Sequence, residues 1–143
     1  MYTATTHIRV RYGETDQMGF LYYGYYALYY ESGRAEAIRD LGFTYRELEE
    51  MGIVMPVVEL HAQYLRPAHY DDLITVKTTL KELPESSTIK FHTELYNEKG
   101  QLLNKGVTTL VFYDPAGRKK VTMPQLMLER LQPFFKDQKH EKP

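Results

Sequence analysis

"YYGYYALYY", residues 22–30, sets six tyrosines in nine positions. The chain continues without proline to Leu41 and then meets Gly42, so about Tyr22 to Leu41 reads as one helix stopped by a glycine in the position glycine favours. Projected at about 100° per residue, Tyr22, Tyr23, Tyr25, Tyr26, Tyr29 and Tyr30 fall on one arc of roughly 160°, which Gly33 and Ala37 extend. The other side offers Gly24, Ala27, Leu28, Ala35 and Ile38. A helix that is apolar or small nearly all round belongs inside a fold, so something must wrap it. One face can pack on its own sheet, leaving the tyrosines to a cavity or a partner subunit. Tyrosine, with an apolar body and a polar tip, suits both places, and any single one can equally be a plain core or interface filler. An aromatic platform for stacked bases is the third reading.

Bulk composition narrows these. A chain of 143 residues suits one domain with a proper core, taken here as residues 1–135 with a polar tail, "KDQKHEKP", at 136–143. Eighteen basic against nineteen acidic residues give a net charge of −1, so no global field draws nucleic acid or anionic lipid, and base stacking loses its support. With no cysteine there is no disulfide framework and no thiolate chemistry. The N-terminus "MYTATTHIRVRYGETD" lacks a signal-peptide core, and no apolar run approaches the roughly 18–20 residues of a membrane span. The expectation is a cytoplasmic protein.

Outside the helix the period is two. "THIRVRY" (6–12) reads as a first strand, broken by the loop "GETDQMG" (13–19). "TYRELEEMG" (44–52) supplies one or two helical turns. Strands follow at 53–66, with Pro56 marking an edge or a bend, and at 73–83, about 87–97 and 102–114; "EKGQ" (98–101) is a hairpin turn. A short amphipathic helix begins near Pro124. One long helix followed by consecutive strands with short turns predicts an α+β domain with an antiparallel sheet that buries one face against the helix.

Asp16 lies in the loop just before the long helix. It can be an ordinary loop aspartate closing an Asx turn or complementing the helix N-terminus. It can also be a working carboxylate, acting as nucleophile or activating water. The free N–H groups of the helix's first turn would then hold the oxyanion that develops on a carbonyl. Gly19 would allow close backbone approach there.

"RYGETDQMGFLYYGYYALYYESGR" resembles the signature of hot-dog-fold acyl-CoA thioesterases of the 4-hydroxybenzoyl-CoA thioesterase-like branch, which includes the YbgC-type enzymes. The matching positions are Thr15, Asp16, Gly19, Phe20, Leu21, Tyr22, Tyr29, Tyr30 and Glu31. A second match, "ELHAQYLRPAHYDDLITV", falls at Tyr64, Pro67, Ala68, Asp71 and Asp72, and together the two span about residues 6–134. The resemblance implies a hot-dog fold, an antiparallel sheet wrapped around the central helix. It makes Asp16 the catalytic carboxylate and gives the backbone N–H of Tyr23, seven residues on, the task of polarising the thioester carbonyl. It implies dimers with interface sites, often tetramers, in which Gly19, Tyr22, Tyr25 and Tyr26 line the substrate pocket. Basic residues at Arg118, Lys119 and Lys120, or Arg66 beside Pro67, would meet the CoA phosphates, although such a run is also an ordinary solvated turn. Where many relatives have "YHxNY" this chain has "YYGYY", so Tyr23 stands for a His and Tyr25 for an Asn. The backbone donor survives that change; any side-chain role does not.

Glu31, on the small-residue side of a buried helix, needs a partner such as Arg34 or Arg11. His61, His69 and His92 lack metal-ligand spacing, so no metal is expected, and no cofactor either. Glu59 and His61 point to one side of their strand. The leading function is hydrolysis of acyl-CoA to free acid and CoA. Its rivals are the same reaction on an acyl carrier protein and a non-catalytic acyl-CoA-binding hot-dog protein. A hot-dog dehydratase lacks its expected His beside the helix, and nucleic-acid binding lacks a basic stripe.

Overall fold

Five antiparallel strands form one sheet in the computed structural model, which describes residues 1–135; the tail assigned to 136–143 lies outside the described residues. The strands are β1 (Tyr2–Arg9), β2 (Val57–Tyr64), β3 (Leu73–Leu80), β4 (Thr88–Tyr96) and β5 (Leu102–Val111), in the order β1-β3-β4-β5-β2. A ribbon of β6 (Tyr113–Asp114) and β7 (Lys119–Lys120) follows, and α3 (Gln125–Leu131) with a 3-10 turn is the last of the described elements. This is the α+β hot-dog arrangement expected above. The first strand starts earlier than 6–12 and ends earlier. Its register on β3 runs from Tyr2 opposite Leu80 to Arg9 opposite Leu73, and Tyr12–Glu14 already turn as a 3-10 segment.

The long helix, α1, spans Tyr26–Asp40, and a tight 3-10 turn at Tyr23–Tyr25 forms its entrance. Tyr25 N–H bonds the Tyr22 carbonyl within that turn. Gly42, at φ +99°, ends the helix as its sequence position predicts. Thr44 caps α2 (Tyr45–Glu50) by accepting from Glu47 N–H at 3.1 Å.

The packing face decides between the readings of the tyrosines. Tyr26, Tyr29, Tyr30, Gly33, Ala37 and Ile38 are buried, so much of the tyrosine arc itself lies in this chain's own core. Ala27, Leu28 and Glu31 face outward instead. Glu31 therefore needs no partner, and it forms no ion pair among the described residues; the buried member of the pair is Arg34, whose charge lowers the burial-raised pKa of Tyr45. Large rings can pack inward because the sheet is small beneath them. Gly106 on β5 lies under the Tyr30 ring, and Gly33 presses on Val76 and Thr78 of β3. The Tyr30 hydroxyl donates to the Asn104 side chain, which is fully buried. A Cβ at Gly106 would lie 2.5 Å from Tyr30 Cε2 and 2.7 Å from the rigid His61 carbonyl oxygen. Gly106→Ala is therefore expected to cost about 1–3 kcal/mol, read as a lower urea midpoint with an unchanged slope.

Two hydrophobic clusters result. One joins the C-terminal half of α1 to α2 and α3; the other, containing Val10, Leu21, Tyr26, Tyr29, Tyr30, Ala68 and Ile74, supports the loop that carries Asp16.

Candidate active site

Three loops meet at the end of the sheet where β2 finishes and β3 begins. Residues 10–22 lead from β1 to the helix, 65–72 connect β2 to β3, and 97–101 turn β4 into β5. Backbone hydrogen bonds join the first two to each other, Leu21 N–H to the Ala68 carbonyl at 2.8 Å and Asp71 N–H to the Val10 carbonyl at 3.0 Å, and the second to the start of β5, Arg66 N–H to the Leu103 carbonyl at 2.9 Å.

Asp16 is half-buried, and both readings of it hold at once. Its Oδ1 accepts from Met18 N–H at 2.9 Å and Phe20 N–H at 3.2 Å, closing an Asx turn, while its own N–H donates to the Phe20 carbonyl at 2.8 Å. The turn occupies one oxygen. Among the described residues Oδ2 accepts no hydrogen bond, which leaves it available for chemistry. Gly19 has a conformational role of its own. Its φ is +78°, while nothing lies within 4 Å of where a Cβ would stand.

Tyr22 N–H donates to the Glu14 carbonyl at 2.9 Å, and Tyr23 is the next residue, the first of the 3-10 turn. A first-turn N–H has no acceptor within its own helix, so the Tyr23 donor is free by position. The Tyr22 and Tyr23 side chains are exposed and stacked at a tilt, centroids 4.6 Å apart, with Tyr25 half-buried at 6.2 Å from Tyr22. Contact with Tyr23 raises the Tyr22 phenol pKa. Tyr26 is buried, and desolvation raises its phenol, opposed by the Ala68 main chain and reinforced by Tyr64 and by the negative charge of Asp16. Tyr64, at the end of β2, packs edge-on against Tyr26 at 5.0 Å and donates to the Tyr23 carbonyl at 3.3 Å.

The expected phosphate contacts separate into two places. Arg66 and Pro67 line a cavity of about 350 Å³ with His69, Asp72, Asn97 and Lys99, on the same end of the sheet as Asp16. Arg118, Lys119 and Lys120 do not join them within this chain. They sit on the β6–β7 ribbon beyond Val111, at the opposite end of β5. Eight-residue strands separate the two ends by about 25 Å. Glu59 and His61 do share a side and hydrogen-bond at 2.7 Å, on an exposed stretch of edge strand.

One residue escaped the sequence reading, and a second carried no role there. Glu14, two before Asp16, accepts through Oε1 from the Tyr29 hydroxyl at 2.8 Å and from Arg11 N–H at 3.0 Å. Tyr64 was visible only as part of a motif. Glu14 stood in the quoted loop "GETDQMG", but its partner lies fifteen residues away, a pairing that only the fold reveals.

The family model of the thioesterase-like superfamily matches residues 10–131. The chain belongs to the thioesterase-like superfamily. Among relatives in this superfamily, the Bacillus subtilis (strain 168) protein provisionally named acyl-CoA thioesterase YneP is 34% identical over 121 residues, covering 85% of this chain and 87% of the relative. A DHNA-CoA thioesterase from Staphylococcus aureus superposes with a TM-score of 0.80 at 32% identity, covering 99% of this chain and 91% of its own. A 4-hydroxybenzoyl-CoA thioesterase variant solved with 4-hydroxybenzoyl-CoA gives a TM-score of 0.81 at 22% identity, covering 91% and 99%; that likeness speaks for the fold. Among the described residues of this superfamily member, no helix is long and apolar enough to cross a membrane.

Proposed function

We propose that this protein hydrolyses acyl-CoA thioesters to free carboxylic acid and CoA, with Asp16 as the working carboxylate and the Tyr23 N–H as the oxyanion donor. The observation that carries this reading is the division of labour on Asp16. Oδ1 is spent on the turn and Oδ2 is unbonded, on a loop tied to the turn that opens the helix. As general base, Oδ2 takes a proton from water while the water oxygen adds to the thioester carbonyl. As nucleophile, Oδ2 itself adds, the C–S bond breaks, and water then cleaves the mixed anhydride. Both routes put negative charge on the former carbonyl oxygen, where a preorganised N–H helps most, and both release the CoA thiolate to take up a proton. Gly19, Tyr22, Tyr25 and Tyr26 border the acyl group in this reading, and Arg66 with Pro67 faces the CoA phosphates.

The catalytic unit in this proposal is a domain of residues 1–135 acting as a dimer, with tetramers built from two such dimers. β2 supports it. It is an eight-residue edge strand that no other element covers among the described residues, and Val57, Val58, Leu60 and Tyr64 are each at least 43% exposed. Such an edge is a template for pairing. Antiparallel pairing of two β2 strands about a two-fold axis would bring the Arg118–Lys120 turn of the second copy to the end of the sheet that carries Asp16. That arrangement would reunite the two sets of basic residues. Leu60→Lys is expected to shift sedimentation toward the monomer and to lower turnover with it; an unchanged sedimentation coefficient would remove β2 from the interface.

The direct test is release of free thiol from a panel of short, long and aromatic acyl-CoA thioesters, together with an acyl carrier protein thioester. Turnover confined to CoA substrates supports the reading. Turnover confined to the carrier protein makes the carrier the substrate. Tight acyl-CoA binding with no turnover makes the protein a binder and not an enzyme.

A further inference from the structure

We propose that Glu14 is a positioning residue that sets the distance between the Asp16 carboxylate and the Tyr23 N–H; the inference rests on the roles proposed for those two groups. Glu14 holds three pieces of the chain together. Its Oε1 accepts from the Tyr29 hydroxyl in the body of α1 and from Arg11 N–H at the end of the first strand. Its main-chain carbonyl accepts from Tyr22 N–H, immediately before the proposed oxyanion donor. Asp16 follows two residues later. The same residue thus anchors the carboxylate loop and the oxyanion turn to one fixed point.

That point is firm. Tyr29 is only 2% exposed and packs in the cluster with Leu21 and Ile74, so its ring cannot swing with the loop. Burial first, then the Glu14 carboxylate, pushes the Tyr29 phenol well above its ordinary pKa, against a smaller opposing effect of Arg11. Tyr29 therefore holds its proton and donates it to the Glu14 carboxylate oxygen. The polarity of the bond is fixed, and with it the height of the loop above the helix. Glu14 touches neither of the reacting groups. Its effect is exerted through geometry, where a displacement near 1 Å can cost about 100-fold in rate.

The test compares Glu14→Ala, Glu14→Gln and Tyr29→Phe with Asp16→Asn, alone and combined, on the best acyl-CoA substrate. Glu14→Ala is expected to lower kcat about 10- to 100-fold with KM within about threefold, because it misplaces catalytic groups without removing a substrate contact. Glu14→Gln keeps an oxygen acceptor for both donors and is expected to restore kcat to within about threefold of wild type. Tyr29→Phe, isosteric in the core, should lower kcat in the same direction as Glu14→Ala and stands in for it if that variant does not fold. In the Asp16→Asn background, Glu14→Ala should add almost nothing, as expected for residues acting as a unit. The proposal is overturned if Glu14→Ala or Tyr29→Phe, folded, keeps wild-type kcat while Asp16→Asn collapses. It is also overturned if Glu14→Gln loses as much as Glu14→Ala, or if the losses multiply in the double variant. A wild-type rate in Asp16→Asn itself sinks the underlying assignment instead, so the two failures are distinguishable.

Discussion

Asp16→Asn is expected to lower kcat by at least about 100-fold on the best acyl-CoA substrate, with the fold and the sedimentation behaviour unchanged. The substitution is unusually clean here. Asn retains an oxygen acceptor at the position of Oδ1, so Met18 N–H and Phe20 N–H keep their partner and the Asx turn survives. Only the second oxygen changes, to an amide nitrogen that neither attacks a thioester nor takes a proton from water. Circular dichroism and sedimentation matching wild type, alongside the lost turnover, would assign the chemistry to Asp16. An Asn variant that turns over at the wild-type rate would reduce Asp16 to a loop residue and move the search for the carboxylate elsewhere.

The second large effect is expected from Tyr23→Pro, which should cost about 100- to 1000-fold in kcat by deleting the proposed oxyanion donor. Proline normally makes a poor probe because it disturbs the backbone. At the first residue of a helical turn it removes only an N–H without an intrahelical partner, and its φ suits the turn. The preceding residue is compatible as well: Tyr22 sits at φ −62° and ψ 134°, the extended conformation that a following proline demands. Tyr23→Ala is the control. It keeps the N–H and removes the exposed phenol, so a large loss in proline and a small one in alanine would locate the function in the main chain. Equal losses would place it in the ring.

The central helix, the antiparallel sheet, the glycine stops and the edge strand after Pro56 were all legible because each rests on a local signal: periodicity, a missing Cβ, or a missing N–H. Asp16 stood out as a candidate through its loop and its motif. The orientation of the helix was not. Projection placed Tyr26, Tyr29 and Tyr30 on one arc, but which arc faced the sheet depended on room at Gly106 and at the β3 surface under Gly33. That space is a property of β5 and β3, whose Gly106 and Val76 lie 76 residues beyond Tyr30 and 43 beyond Gly33 in the chain. The Glu14–Tyr29 bond escaped for the same reason, since a loop carboxylate and a helix phenol carry no spacing rule that pairs them. Arg118–Lys120 could be recognised as basic but not placed, because their distance from Asp16 follows from strand direction.

The double duty proposed for the Asp16 carboxylate also has an evolutionary side. The loop asks of this position only an acceptor, and asparagine meets that demand. A single-base change at the codon would therefore silence the chemistry without disturbing the architecture. A lineage no longer selected for turnover could cross from catalyst to reader of acyl-CoA in one step, with no intermediate that fails to fold. Among paralogues of this chain, those with Asn at this position and the glycine of the turn intact are where such repurposed copies would be sought.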